Sequence, residues 1–299
     1  MTVYLVVDAN ALPIKGNIGS GFWMSVLRLC QVKGIRPAMS EVVLDESVNI
    51  RRVAAVEVID QLLTAHSALS NFVELAPIYA PSSEVIAHNY EVMLRERFEI
   101  LPLEGAHAVE AFRREARRLP PASGGRGGRD SAIWLTISSL LHGGHEVLFV
   151  SNNSDDFGKG AILPELLAEI EGAEDRLHYY PDANAFVESI ATRITQPEVT
   201  ADDLIVSFGE SIRTTLVAML REGLDDQTRF ESVLSDPFEV TEIRVGQAFE
   251  VDGLGLARLT ATFEFGYVGG DFAGWMIFDP RTGAPQVSEV DGLTGLSVG

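Results

Sequence analysis

Short apolar runs alternate along this chain with stretches in which apolar residues recur every three to four positions, and the alternation predicts most of its elements. YLVVD (residues 4–8) is a compact β-branched run ending in an acid; it reads as a buried strand followed by a loop containing Gly16, Gly19 and Gly21. Phe22, Val26, Leu29 and Cys30 then share one helical face, with Gly34 as the stop. A strand near Ile35 to Met39 follows. Ser40 is placed to cap the helix that carries Glu41 to Val48 and continues to about Ser70. Beyond the proline-marked loop PIYAPSS come helices over SEVIAHNYEVMLRERF and EAFRREARR, a break at PPASGGRGG, and a helix over DSAIWLTISSLL. HEVLFVSNN is the clearest buried strand, and a helix at Pro164 to Ile170, the strand LHYY and a helix at Ala183 to Ile194 complete the series. Strands alternating with helices predict an α/β fold, a mostly parallel sheet flanked by helices.

Past Thr195 the pattern changes. QPEVTADD resembles a linker, one amphipathic helix spans roughly Asp203 to Arg221, and EVTEIRVGQAFEV, GLARLTATFEFGYV and FAGWMIFDP alternate as antiparallel strands separated by glycine turns. The expected organisation is residues 1–196 as one domain and 197–299 as a smaller α+β domain, a helix plus a sheet of roughly four strands with exposed aromatics such as Phe272 and Trp275. No uninterrupted apolar stretch reaches membrane-spanning length and the first residues carry no basic leader, so a soluble cytoplasmic protein is expected. The single cysteine, Cys30, lies in an apolar pattern and reads as a small buried hydrophobe.

Charge complicates a nucleic-acid partner, since the net charge is −20. Its distribution is uneven. Between Arg113 and Arg129 stand six arginines and the single acid Glu115, whereas residues 200–299 hold 17 acids and 6 bases. The basic strip suits a phosphate backbone; a solvated helix face is the plainer reading of the same residues.

Asp8 ends the first strand, and ligands of open parallel sheets bind outside the carboxyl ends of strands. Ser151, Asn152, Asn153, Asp155 and Asp156 follow the strand VLFV (147–150) in the same way, Glu46 lies a turn into its helix, and Asp130 opens another. Taken singly each acid is accounted for as a cap or a surface charge. Together, four carboxylates in one cleft would resist ionisation unless cations neutralise them, and oxygen donors of this kind select Mg²⁺ or Mn²⁺. Such ions acidify bound water and offset charge on a phosphate, which gives phosphodiester hydrolysis without a nucleophilic side chain. Asp8, Glu46, Asp130 and Asp156 are therefore the expected catalytic and metal-holding residues. Ser151 and Asn153 are candidates for positioning water or phosphate, as are Arg126 and Arg129 for phosphate contacts, with Arg51 and Arg52 behind them. His142 and His145 flank two glycines and read better as a loop than as a metal pair.

These residues resemble the four motifs of the PIN-like nuclease family. VVDANAL (6–12) resembles the first, an Asp followed two residues later by Asn10, which the resemblance adds as a substrate-positioning residue. SEVVLDE (40–46) is similar to the second and places Glu46 at the family's acidic position; GRDSAIWLTISSLL (128–141) resembles the third, with Asp130 opening a helix. FVSNNSDDF (149–157) is similar to the fourth with a departure: Asn153 replaces the first Asp and one extra residue precedes the Asp-Phe pair, leaving Asp156 as the fourth acid and Asp155 as second choice. RRLPPASGGRGGRD fits a bacterial branch in which a proline-ended helix and a basic glycine-rich loop precede the third acid. The resemblance covers about residues 1–190. It implies a ribonuclease, with DNA as a possible substrate, acting in RNA turnover or as a toxin, with a homodimer or an inhibitor protein as possible partners. The competing expectation is a PIN-like fold without cleavage that binds nucleic acid or protein. A haloacid-dehalogenase-type phosphatase would need an acid where Asn10 stands, GNIGSGF lies too late for a dinucleotide fingerprint, and a GxSxG nucleophile elbow is missing. The acidic 197–299 region is expected to dimerise, to bind a partner, or to mimic nucleic-acid charge.

Overall fold

The computed structural model describes residues 1–13, 21–223, 237–265 and 268–298. It divides into two compact units, Met1–Val187 and Glu188–Gly299. Gly16 and Gly19 of the expected first loop lie outside the described residues.

In the first unit the elements run β1 (Val3–Val7), α1 (Gly21–Lys33), β2 (Arg36–Ser40), α2 (Glu41–Leu69), α3 (Ser83–Arg97), β3 (Glu99–Leu101), α4 (Gly105–Arg117), α5 (Gly128–His142), β4 (Glu146–Val150), α6 (Ser154–Phe157), α7 (Pro164–Leu167), β5 (Leu177–Tyr180) and α8 (Ala183–Ile190). Among the described residues the five strands order as β3-β2-β1-β4-β5, and every neighbouring pair is parallel. β1 and β4 are buried on both faces, as their unbroken Val, Leu and Phe content requires of central parallel strands. Ser40 caps α2 as expected: its Oγ accepts the Val43 N–H at 3.3 Å. Ser82 caps α3 in the same way. Cys30 is fully buried, and burial pushes its thiol up to about 12. β3 and α6 carry no sequence signal long enough to predict. β3 is a three-residue edge whose order comes from pairing with β2.

The two units part between Val187 and Glu188, against 196/197 expected for the domains, and the expected helix from Ala183 to Ile194 needs correction. α8 stops at Ile190, and Thr192–Ile194 forms β6, which pairs antiparallel with residues 248–250. A backbone ladder outweighs the helical periodicity of that short stretch. The remaining elements are α9 (Ala201–Gly223), β7 (Phe238–Val251), β8 (Leu254–Phe265), β9 (Val268–Phe278) and β10 (Pro285–Val298), and the described sheet has five strands, ordered β10-β9-β8-β7-β6.

α9 begins with a reciprocal cap. Thr200 Oγ1 accepts the Asp203 N–H at 3.2 Å, and Asp203 Oδ2 accepts the Thr200 N–H at 2.9 Å. Its Leu204, Phe208, Ile212 and Leu216, spaced by four, are fully buried against the sheet. Asp252 and Gly253, both at positive φ, make the two-residue turn from β7 to β8, where a right-handed hairpin demands that conformation. Phe272 and Trp275, expected at the surface, are buried. Phe272 packs against Phe208 with ring centroids 5.3 Å apart, and Trp275 lies on the opposite face of β9.

Candidate active site

Strand order reverses direction between β1 and β4, so their carboxyl ends open a crevice that neither flanking crossover covers. Asp8 continues β1, its N–H donating to the Val150 carbonyl at 3.0 Å, and Ser151 continues β4, its N–H donating to Tyr180 O at 3.1 Å. The two side chains therefore meet. Ser151 Oγ donates to Asp8 Oδ2 at 2.6 Å, and Asp8 Oδ1 accepts the Ala9 N–H at 2.7 Å. Asp8 is only 3% exposed, so these bonds orient a nearly buried carboxylate. Asn10 ties the two loops together: its Oδ1 accepts the Asn152 N–H and its carbonyl accepts from Asn152 Nδ2, each at 3.2 Å.

Glu46, in the second turn of α2, forms an ion pair with Arg129 of α5. Asp130 follows in the first turn of α5, where the helix N-terminus favours an anion. That start is fixed by Glu115, whose Oε2 accepts the Gly128 N–H at 2.7 Å, and by Gly127 at φ 110°. A Cβ at Gly127 would stand 3.1 Å from Asp130 Oδ2 and 3.2 Å from Ala122 Cα, so glycine is required there on both counts. Asn153 completes the group. Its Nδ2 donates to Asp130 Oδ1 at 3.0 Å and to Asp156 Oδ2 at 2.8 Å, while its N–H donates to Ser151 Oγ at 3.1 Å.

Three of the acids, Asp8, Glu46 and Asp130, have raised carboxyls. Burial, then the charges of Asp156 and Asp8, push the Asp130 carboxyl up to about 6. Burial raises Asp8 against the opposing bonds from Ser151 and Ala9, and raises Glu46 against the pull of Arg129, with Asp8 adding to the rise. The Tyr179 hydroxyl, which donates to Ser151 O at 2.9 Å, is raised by burial and by the charge of Asp8.

Other candidates fall elsewhere. Asp155 is exposed and makes none of these contacts. Arg126 is exposed and, among the described residues, has no hydrogen bond or ion pair. Arg51 lies over the Tyr90 ring, 4.3 Å from its centroid, and Arg52 donates to Asn49. His145 packs edge-on against Tyr4, whereas His142 contacts Ser138. The Glu46–Arg129 pair and the bridging role of Asn153 carry no sequence signal, because both depend on elements far apart in the chain.

No protein-family model matches the chain, and no curated protein matches it. Among solved structures the chain is similar, at 13% identity, to SAM-bound CalS10, an amino pentose methyltransferase from Micromonospora echinaspora. That match covers 76% of this chain and 86% of the other, with a TM-score of 0.13, too low to bear on fold or chemistry.

Among the described residues no three His, Cys, Asp or Glu side chains already converge as a ligand set. The geometry gives the reason: Asn153 Nδ2 stands between Asp130 and Asp156, and Arg129 stands on Glu46. The donors nevertheless suit a hard divalent cation in kind and in charge. They are carboxylate oxygens, and the like charges that raise Asp130 leave an excess that one arginine and one amide only partly offset.

Proposed function

We propose that the Met1–Val187 unit is a PIN-like, divalent-metal-dependent nuclease that hydrolyses phosphodiester bonds in RNA. What supports this reading is that burial and the charges of Asp156, Asp8 and Glu46 all raise the Asp130 carboxyl, and that these acids, up to 148 positions apart in sequence, stand on elements around the switch point of a parallel sheet. Among the described residues one arginine, Arg129, pairs with one of the four acids, Glu46.

Asp8, Glu46, Asp130 and Asp156 would hold Mg²⁺ or Mn²⁺, whose chemistry is to acidify water and offset charge on the phosphate. The protein's own groups set the stage for it. Ser151 fixes the rotamer of Asp8, and Asn153 holds Asp130 and Asp156 facing each other. Arg129, with 65% of its side chain exposed, is free at its outer edge to meet a phosphate oxygen. Arg126, in the glycine-rich loop before α5, adds a second cation for the backbone of the substrate. RNA as the substrate, with DNA as the alternative, and a role in RNA turnover or as a toxin, with a homodimer or an inhibitor protein as partner, follow from the family resemblance.

One observation favours a second reading, a binding module without cleavage: Asn153 and Arg129 already engage oxygens of three of the four acids. Labelled single-stranded RNA, with DNA alongside, incubated with wild type and Asp8→Asn in Mn²⁺, Mg²⁺ or EDTA decides between them. Cleavage that needs both the metal and Asp8 supports the nuclease; retained binding without cleavage supports the module.

A further inference from the structure

Six arginines stand between Arg113 and Arg129, and the structure divides them. Arg113 faces Glu110 at 3.8 Å, Arg114 donates to Glu169 at 2.8 Å and Arg129 pairs with Glu46. Arg117, Arg118 and Arg126 are exposed, and among the described residues their side chains have no hydrogen bond and no ion pair. A shortage of acids does not account for this. The chain has 43 of them against 23 lysines and arginines, and Arg36, Arg95 and Arg97 of the same unit each have a glutamate within 3.5 Å. The acids of α4 itself are engaged elsewhere: Glu110 faces Arg113 and Arg114, and Glu115 Oε2 accepts the Gly128 N–H.

The three arginines lie along one path. α4 ends at Arg117, and Arg118 follows at φ 56°, a left-handed cap at which glycine is the favoured residue. Turns closed by the Ala122 N–H on Leu119 O at 2.8 Å and the Gly125 N–H on Ala122 O at 3.0 Å bring the glycine-rich loop back to it, so that a Cβ on Gly125 would stand 3.4 Å from Arg118 Nε. Arg126 is the next residue, and Gly127 then leads into α5 and Asp130.

We infer that Arg117, Arg118 and Arg126 form a track for successive phosphates of a single nucleic-acid strand, running along the loop to the carboxylates. A chain of net charge −20 repels a polyanion over most of its surface, so contact concentrates where cations are unopposed. The bases of the strip are all arginine, whose planar fork meets two oxygens of one phosphate, and none is lysine. Arginine at a position that suits glycine adds charge to the loop at the expense of its backbone. Phosphate contacts hold a strand in place without reading its bases. That the strand is the one to be cut rests on the nuclease reading; that the track holds a phosphate chain does not.

The test is fluorescence anisotropy with the full chain in EDTA, where no cleavage occurs, using labelled single-stranded oligo(U) over a series of salt concentrations. The logarithm of the wild-type binding constant falls linearly with that of salt, and Arg117→Gln/Arg118→Gln/Arg126→Gln reduces the slope by about two, three lost phosphate contacts at roughly 0.7 each. Arg36→Gln/Arg95→Gln/Arg97→Gln removes the same charge from paired arginines and keeps the wild-type slope. Arg118→Gly, which suits the cap, lowers the slope by about 0.7 with an undiminished urea midpoint, so a folding defect does not mimic the result. Equal slopes in wild type and the first variant, an equal fall in the second, or no binding by wild type overturns the track. Polyglutamate that displaces oligo(U) at equal charge overturns it too, and makes the partner an acidic polypeptide. Since the nuclease reading is judged by cleavage in Mn²⁺ and this one by metal-free binding, either fails without the other.

Discussion

The two units bury polar groups differently. Every buried polar residue described, from Asp8 and Ser25 to Thr136 and Ser151, lies in Met1–Val187, and none lies in Glu188–Gly299. Acidity does not explain this, since residues 200–299 are the more acidic stretch. Placement does. In the second unit none of the described acids is buried, as with Asp203 capping α9, while the interior is Phe208, Phe263, Phe265 and Phe272. In the first unit the buried Ser40 and Ser47 satisfy backbone groups of α2, and Asp8 alone among the described residues brings a nearly buried charge. An interior of aromatics serves stability, whereas a carboxylate at a strand end lowers it and is tolerated where chemistry needs it.

Four substitutions bear on that contrast. Phe208→Ala should have the largest effect, about 3–5 kcal/mol of lost stability from a cavity under α9, read as a lower urea midpoint. Ser151→Ala removes the hydroxyl from a nearly buried carboxylate and should cost about 1–3 kcal/mol while raising Asp8 further. Its pH–rate profile should therefore move to higher pH; an unmoved profile would mean that Ser151 does not tune Asp8. Asp130→Asn should act in the opposite direction and stabilise the metal-free protein at pH 7 by about 1 kcal/mol, since it removes a like charge from the cluster.

The pH window for Asp130 follows from its raised value. The folded chain holds this proton up to about pH 6 and an unperturbed Asp releases it near 3.8, so the folded state binds more protons between them. Stability from this group is greatest below the lower value and falls as pH rises to the upper one. Urea unfolding in EDTA across that range should show the decline in wild type and a flatter curve in Asp130→Asn. The smallest effect belongs to Asp155→Asn. Exposed and outside the cluster, it should leave cleavage rates within about twofold, on the ordinary behaviour of surface sites.

Several features of this arrangement were legible from residue order because they are local. A β-branched run ending in Asp8, a serine six residues before Glu46 and a glycine-rich loop ahead of Asp130 each announce a strand end or a helix start. Asp156 rather than Asp155 facing Asn153 is a matter of rotation within the single turn of α6, which spacing alone leaves open. Long-range pairing was not legible. β3 and β6 are three residues each and exist because a neighbour supplies their ladder, and β10, interrupted by register shifts, lacks the clean alternation that marks a strand. Phe272 and Trp275 looked exposed because the glycines around them suggest turns; strand pairing and α9 bury Phe272 instead.

The most direct measurement of the account is the thermal unfolding midpoint at pH 7 of wild type and Asp8→Asn, each with EDTA and with saturating Mn²⁺. If the excess carboxylate charge is a cation site, Mn²⁺ at about a hundred times its dissociation constant adds about 2.7 kcal/mol to wild type, a rise of roughly 5 °C that EDTA reverses, and adds far less to Asp8→Asn. A midpoint indifferent to Mn²⁺ in wild type, or raised equally in both proteins, would contradict it.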